Sequence, residues 1–125
     1  MTELVEGFRF KFSRPMSKVE LSLNSRMHHM TKSKLTREWR RWACEETARI
    51  PHLGRIRVSM TWLVDDNRRR DEDNLVLILK AVCDGIVDAG VVYDDTHREM
   101  EKLMPRIVRE WGIAEKTLLV EIEQL

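Results

Sequence analysis

The sequence is poor in the residues that mark stapled, metal-folded or membrane-embedded chains. It has two cysteines, five glycines, three prolines and one tyrosine in 125 residues. Cys44 and Cys83 stand in helix-like patterns without CxxC spacing. That excludes a disulfide framework and reads as small buried or half-buried thiols of a reducing, cytoplasmic setting. The longest apolar run is "LVLIL", Leu75 to Leu79, far short of a bilayer-spanning helix. The first ten residues, "MTELVEGFRF", carry acids and no apolar stretch, so no secretory leader is expected. No glycine-rich phosphate loop and no Ser-His-Asp constellation is visible, which argues against P-loop and nucleophilic chemistry. There is no repeat, low-complexity tract or linker. One domain over residues 1–125 is expected, large enough to hold a core without staples.

What the chain has in quantity is charge of both signs. Asp, Glu, Lys and Arg make up 34% of it, yet the formal net charge is +1. The balance hides an asymmetry. Residues 1–57 hold 13 Lys/Arg against 6 Asp/Glu, or +7, and residues 58–125 hold 9 against 15, or −6. A basic half followed by an acidic half suits nucleic-acid binding combined with metal binding, and equally suits two halves that pair with each other.

Periodicity gives a coarse architecture. "LVEGFRFKF" alternates as a first strand, with Phe8, Phe10 and Phe12 on one face. Residues 13–34 are polar and read as a long loop. Leu35 to Ile50 has helical spacing, with Leu35, Trp39, Trp42 and Ala43 on one face, Arg37, Arg40 and Arg41 on the other, and Pro51 as the stop. Arg55 to Val64 alternates as a strand. Asn74 to Ala89 reads as a second helix, with Gly90 as its left-handed cap. "GVVYDD" follows as a short strand or turn. The last 23 residues read as a hairpin turning near Gly112, with "TLLVEIE" as its second strand. The expected fold is α+β, a small mixed or antiparallel sheet packed against two helices. Trp39, Trp42, Trp62 and Trp111 are expected in its core.

The densest chemistry is "RRRDEDN", Arg68 to Asn74. Asp71 and Asp73 stand two apart, so in extended chain both side chains project to the same side. Acids before a helix cap its free N–H groups and meet its dipole; they also suit a hard divalent cation, which prefers oxygen ligands. A second pair, Asp94 and Asp95, follows the helix. The two pairs can converge if the chain folds back along its own strand. Lys80 and Asp84 lie one helical turn apart, either as a surface pair or as a cation near such a site. Arg68, Arg69 and Arg70 cannot all point one way; some are solvated or paired with Asp65 and Asp66, while the guanidinium fork suits phosphate. His28 and His29 show no zinc spacing, and with Met27 and Met30 they lie in a basic loop that could touch nucleic acid.

Taken together, "RRRDEDNLVLILKAVCDGIVDAGVVYDD" resembles the signature of the RusA-type Holliday-junction resolvases: a basic loop, Asp-x-Asp-Asn, a helix with Lys-x-x-x-Asp, then glycine and Asp-Asp. "LNSRMHH", Leu23 to His29, resembles the family's asparagine-containing loop, which makes Asn24 and Arg26 candidate DNA contacts beside Arg68, Arg69 and Arg70. The resemblance implies a RusA-like fold and a homodimer that cuts four-way DNA junctions with Mg²⁺, Mn²⁺ serving as a substitute. It makes Asp71, Asp73 and Asp95 the catalytic and metal-binding acids, Asp94 their neighbour at the metal, and Lys80 the catalytic helix lysine. One departure stands out. The lysine comes seven residues after Asp73 where the short form has four, a position held here by Leu77. Three extra residues turn a helix by roughly 300° and move the lysine about 4.5 Å along its axis. A DNA-binding module without catalysis would need only the basic surface, and a metal-dependent nucleotide hydrolase only the acids.

Overall fold

The computed structural model describes residues 7–23 and 26–125. The chain runs β1 (Arg9–Pro15), α1 (His29–Thr47), β2 (Ile56–Val64), a 3₁₀ turn (Glu72–Leu75), α2 (Val76–Asp88), β3 (Met100–Lys102), β4 (Arg106–Arg109) and β5 (Thr117–Gln124). β2 is the centre of a five-stranded mixed sheet. On one side it pairs antiparallel with β5, which pairs antiparallel with β1; on the other, β3 and β4 run parallel to successive halves of β2. The α+β class expected from the periodicity is the class observed.

Alternation along β2 sets the layers. Ile56, Val58, Met60, Trp62 and Val64 are buried, while Arg57, Ser59, Thr61 and Leu63 between them stay half-exposed. One face of the sheet therefore carries the core and the other meets solvent. Leu118, Val120 and Ile122 of β5 and Phe12 of β1 continue the buried face, and α1 and α2 lay Trp39, Ala43, Ile78, Val82 and Ile86 on it. The solvent face carries a ladder of charge: Arg9 meets Glu121 and Glu123, and Arg57 meets Glu101 and Glu123.

The helices are locked to each other at Gly85 of α2. A Cβ there would collide with the Arg40 carbonyl oxygen and lie 2.9 Å from Ala43 Cβ and 3.0 Å from Cys44 N. Next to this contact Arg40 grips Asp88 with two hydrogen bonds, Nη2 to Oδ1 at 2.8 Å and Nε to Oδ2. Cys83 is fully buried, and burial pushes its thiol up to about 12, leaving it without thiolate character. Cys44 is half-buried. Among the described residues no helix is long and apolar enough to cross a membrane.

The structure differs from the sequence reading in four places. β1 runs Arg9–Pro15 and so extends into the expected loop, while residues 4–6 of the expected first strand lie outside the described residues. α1 begins at His29, inside the expected loop, where His28 Nδ1 accepts from the Met30 N–H at 3.3 Å. Residues 29–34 are all exposed, so this part of the helix has no apolar stripe for periodicity to detect. The C-terminal segment is not a hairpin: β4 and β5 flank β2 on opposite sides, and the 110–116 connection crosses the end of that strand, with Gly112 at φ +80°. Trp111 in this connection is 75% exposed, whereas Trp39 and Trp62 are buried and Trp42 packs against the core.

Candidate functional site

The segment Arg68 to Asn74 leaves the carboxyl end of β2 and borders an open depression of about 860 Å³. Arg68, Arg69, Asp71 and Asp73 stand on its wall, Ser17 and Lys18 face them from the loop after β1, and Trp62 and Met104 contribute apolar surface. The loop after β1 is held in place by long-range bonds, among them the Met16 N–H to the Lys116 carbonyl at 2.9 Å. Trp62 Nε1 donates to the Met16 carbonyl at 2.8 Å, and Ser22 Oγ pairs with Asn74 Oδ1 at 2.8 Å.

Within this wall the two acids have different duties. Asp71 is the N-cap of the 3₁₀ turn: its Oδ1 accepts from the Asp73 N–H at 3.0 Å. Capping uses one carboxylate oxygen and leaves the other. The Asp73 carboxylate is exposed and has no side-chain hydrogen bond or ion pair among the described residues. The cap and the ligand readings of this motif are thus compatible.

The three arginines also divide. Arg70 is only 14% exposed in its side chain. Its guanidinium lies over the Trp62 ring at 5.0 Å and donates to Asp66 Oδ1. Arg68 is 83% exposed and reaches Asp66 only at 4.0 Å, and Arg69 is exposed. Arg70 is thus spent on structure, and the guanidiniums open to a phosphate are those of Arg68 and Arg69.

Asp65, Asp66, Arg70 and Lys116 form a network tying the loop after β2 to the start of β5, with Lys116 Nζ at 2.9 Å from Asp65 and 3.5 Å from Asp66. The Arg70 hydrogen bond holds the Asp66 carboxyl well below the usual carboxylate range, and Lys116 does the same for Asp65. The Asp65 hydrogen bond raises Lys116 in turn. Carboxyls lowered in the folded state contribute stability above their unfolded value, near 4, and that contribution is lost as pH falls through the folded value. A raised lysine contributes below its unfolded value, near 10.4, and loses it as pH rises through the folded one. The contribution of this network to the melting temperature should therefore be constant from about pH 5 to about pH 10 and be lost on both sides. Asp66→Asn should flatten the acid limb; an unchanged limb in a thermal melt series would remove the network from the account.

The second acidic pair lies apart from the first. Asp94 Oδ1 accepts from the Asp95 N–H at 2.7 Å, and Asp95 Oδ2 takes Lys102 Nζ at 3.1 Å. That hydrogen bond lowers the Asp95 carboxyl. Asp95 and Lys102 line a different depression, of about 460 Å³, and Asp94 a third. Among the described residues no three His, Cys, Asp or Glu side chains form a group that could hold a metal ion. Among the described residues Asp71, Asp73 and Asp95 are not gathered into such a group. The two depressions are nevertheless neighbours along one chain: Lys102 lines the second and Met104 the first, and residues two apart stand at most about 7 Å from each other. Lys80 is exposed on α2 and makes no ion pair with Asp84 among the described residues. Arg26 is exposed, and Asn24 lies outside the described residues. Sequence reasoning missed Lys18, which faces the acids only because the loop after β1 folds over Trp62, and Lys102, whose link to Asp95 depends on β3.

No protein-family model and no curated protein sequence matches the chain. Two solved structures of the hydrogenase maturation protein HypE, one in complex with ATP, are similar to it at 7% identity, with TM-scores of 0.31 and 0.29. The matches cover 100% of this chain and 32% and 33% of those chains. The chain spans about a third of their length, and a likeness this slight carries nothing about the site.

Proposed function

We propose that the chain is a metal-dependent endodeoxyribonuclease that resolves four-way DNA junctions, as the resemblance to RusA-type resolvases implies. The observation that supports this best is the meeting of Asp71 and Asp73 with Arg68, Arg69 and Lys18 around one open depression. Mg²⁺ keeps several waters and takes one or two carboxylates plus substrate phosphate oxygens. The donor set of Asp71 and Asp73 fits it, with Mn²⁺ as a substitute. When bound, such an ion supplies positive charge to phosphoryl oxygens and acidifies a water.

The protein's own part is positioning and charge. Arg68 and Arg69 grip the phosphodiester beside the acids through bidentate hydrogen bonds. Lys18 adds a point charge from the loop after β1, which Trp62 ties down through the Met16 carbonyl, while Arg70 ties the acidic segment to Asp66. Asp95, kept ionised by Lys102, is the third acid that the resemblance implies, and Lys80 the cation on α2. Hydrolysis adds water across the phosphorus–O3′ bond: the hydroxyl joins phosphorus to leave a 5′-phosphate, and the proton goes to O3′. Paired cuts in opposite strands require two such sites, supplied by a two-fold homodimer that matches the approximate symmetry of the junction.

That Asp95 lines a different depression from Asp71 and Asp73 favours a second reading, a DNA-binding module without catalysis. Incubating the protein with a labelled four-way junction or a linear duplex of the same sequence, with Mg²⁺ or with chelator, separates the two. Metal-dependent incision of opposing strands in the junction alone is the expected result; binding without incision would leave the module. In the same assay Arg69→Ala should weaken junction binding and reduce its salt dependence at unchanged melting temperature. Arg70→Ala should instead lower the melting temperature.

A further inference from the structure

Trp111 is the least core-like of the tryptophans. It is 75% exposed, and its ring is covered by the Arg109 guanidinium with 3.6 Å between guanidinium carbon and ring centroid. Arg109 is held by Asn67: its Nη1 donates to Asn67 Oδ1, and its Nε is buried without a hydrogen-bond partner among the described residues. The guanidinium is held at one edge by Asn67 and lies over the ring. Gly112, in the left-handed region at φ +80°, turns the chain directly after it.

An exposed tryptophan gives up the hydrophobic gain that usually buries this residue. Here the ring is backed by a cation and, at 75% exposure, most of its surface stays open to a ligand. The position also matters. Asn67 immediately precedes Arg68, so the ring is joined through Arg109 and Asn67 to the arginines at the rim of the acidic depression.

We infer that Trp111 on Arg109 is a stacking platform for one unpaired nucleobase, placed so that the phosphate of the same or the next nucleotide reaches Arg68 or Arg69. A flat aromatic ring takes any base by its π-face, and positive charge alongside takes the backbone. A fully paired duplex hides its base faces and gains only the phosphate contacts. The inference rests on the DNA reading above for its choice of ligand, but not on catalysis or on a metal.

The full chain is titrated, in chelator, with a short oligothymidylate and with a duplex of equal length, following affinity and tryptophan fluorescence. Trp111→Ala should lose about ten-fold in affinity for the single strand, the scale of one base–aromatic stack, and little for the duplex. Trp111→Tyr should restore most of the loss. Binding of the single strand should quench fluorescence in the wild type and much less in Trp111→Ala. Equal affinity of Trp111→Ala and wild type, equal losses in the alanine and tyrosine variants, or no binding of oligothymidylate by the wild type would each overturn the platform. Failure of junction incision with the platform intact would remove only the nuclease.

Discussion

Gly85→Ala lowers the melting temperature, against the direction that helix propensity predicts. In a solvent-exposed helix interior the same change would stabilise by roughly 0.5–1 kcal/mol. At Gly85 the added methyl meets the Arg40 carbonyl and the Cys44 amide nitrogen as well as Ala43 Cβ. Two of those three are backbone atoms of α1, which no rotamer change can move. Relief requires the helices to part, and that takes Arg40 from Asp88 and opens the packing of Trp39, Ala43 and Ile86. Overpacking of this kind costs about 1–3 kcal/mol. Placed near the upper end because backbone must shift, and less the propensity gain, the net loss is about 2 kcal/mol. For a chain of this size that is a fall of roughly 6–10 °C. Thermal unfolding followed by circular dichroism reads it directly. An alanine variant melting at or above the wild type would mean that the helices do not touch at this position.

That contact also shows where sequence reading stops. The strand from Ile56, the second helix and the last strand were legible because each buries one face and so carries its period in its own residues. Val58, Met60, Trp62 and Val64 alternate, and Ile78, Val82 and Ile86 return at helical spacing. The start of α1 carries no such period because residues 29–34 bury nothing. The left-handed Gly112 serves a hairpin and a crossing over β2 equally well, and only the pairing of β4 with β2 distinguishes them. The site divides in the same way. Arg68 to Asp73 could be read as one cluster because its members are adjacent in sequence. The loss of Arg70 to Trp62, the arrival of Lys18 and the capture of Asp95 by Lys102 are long-range events that no local pattern encodes. Trp111 was misplaced because a tryptophan's usual environment outweighed its position, in a segment whose neighbours Arg109, Glu110 and Glu115 mark a surface connection.

On the proposed junction-cutting reading, Asp73→Asn should abolish incision while leaving the fold and metal-free junction binding unchanged. The side chains are nearly the same shape, and the Asp73 carboxylate is exposed without a partner among the described residues, so the stability change should stay within about 0.5 kcal/mol. On that reading what is lost is one negative charge of the proposed pair of carboxylate donors, Asp71 and Asp73. Removing a group that only orients a metal ligand typically costs 10–100-fold, so removing a ligand itself should cost at least about 100-fold. Asp71→Asn makes a sharper comparison, since asparagine caps a helix as well as aspartate does; it should keep the 3₁₀ turn and lose incision. Asp95→Asn decides the size of the site. If the acid beside Lys102 acts with the other two, its loss should be as severe as that of Asp73; if incision survives, the chemistry belongs to Asp71 and Asp73 alone. Rates measured under single-turnover conditions, with mobility shifts in chelator, separate these outcomes. An Asp73→Asn protein that still cuts would take the acids out of the reaction, and one that no longer binds would make them part of the DNA surface.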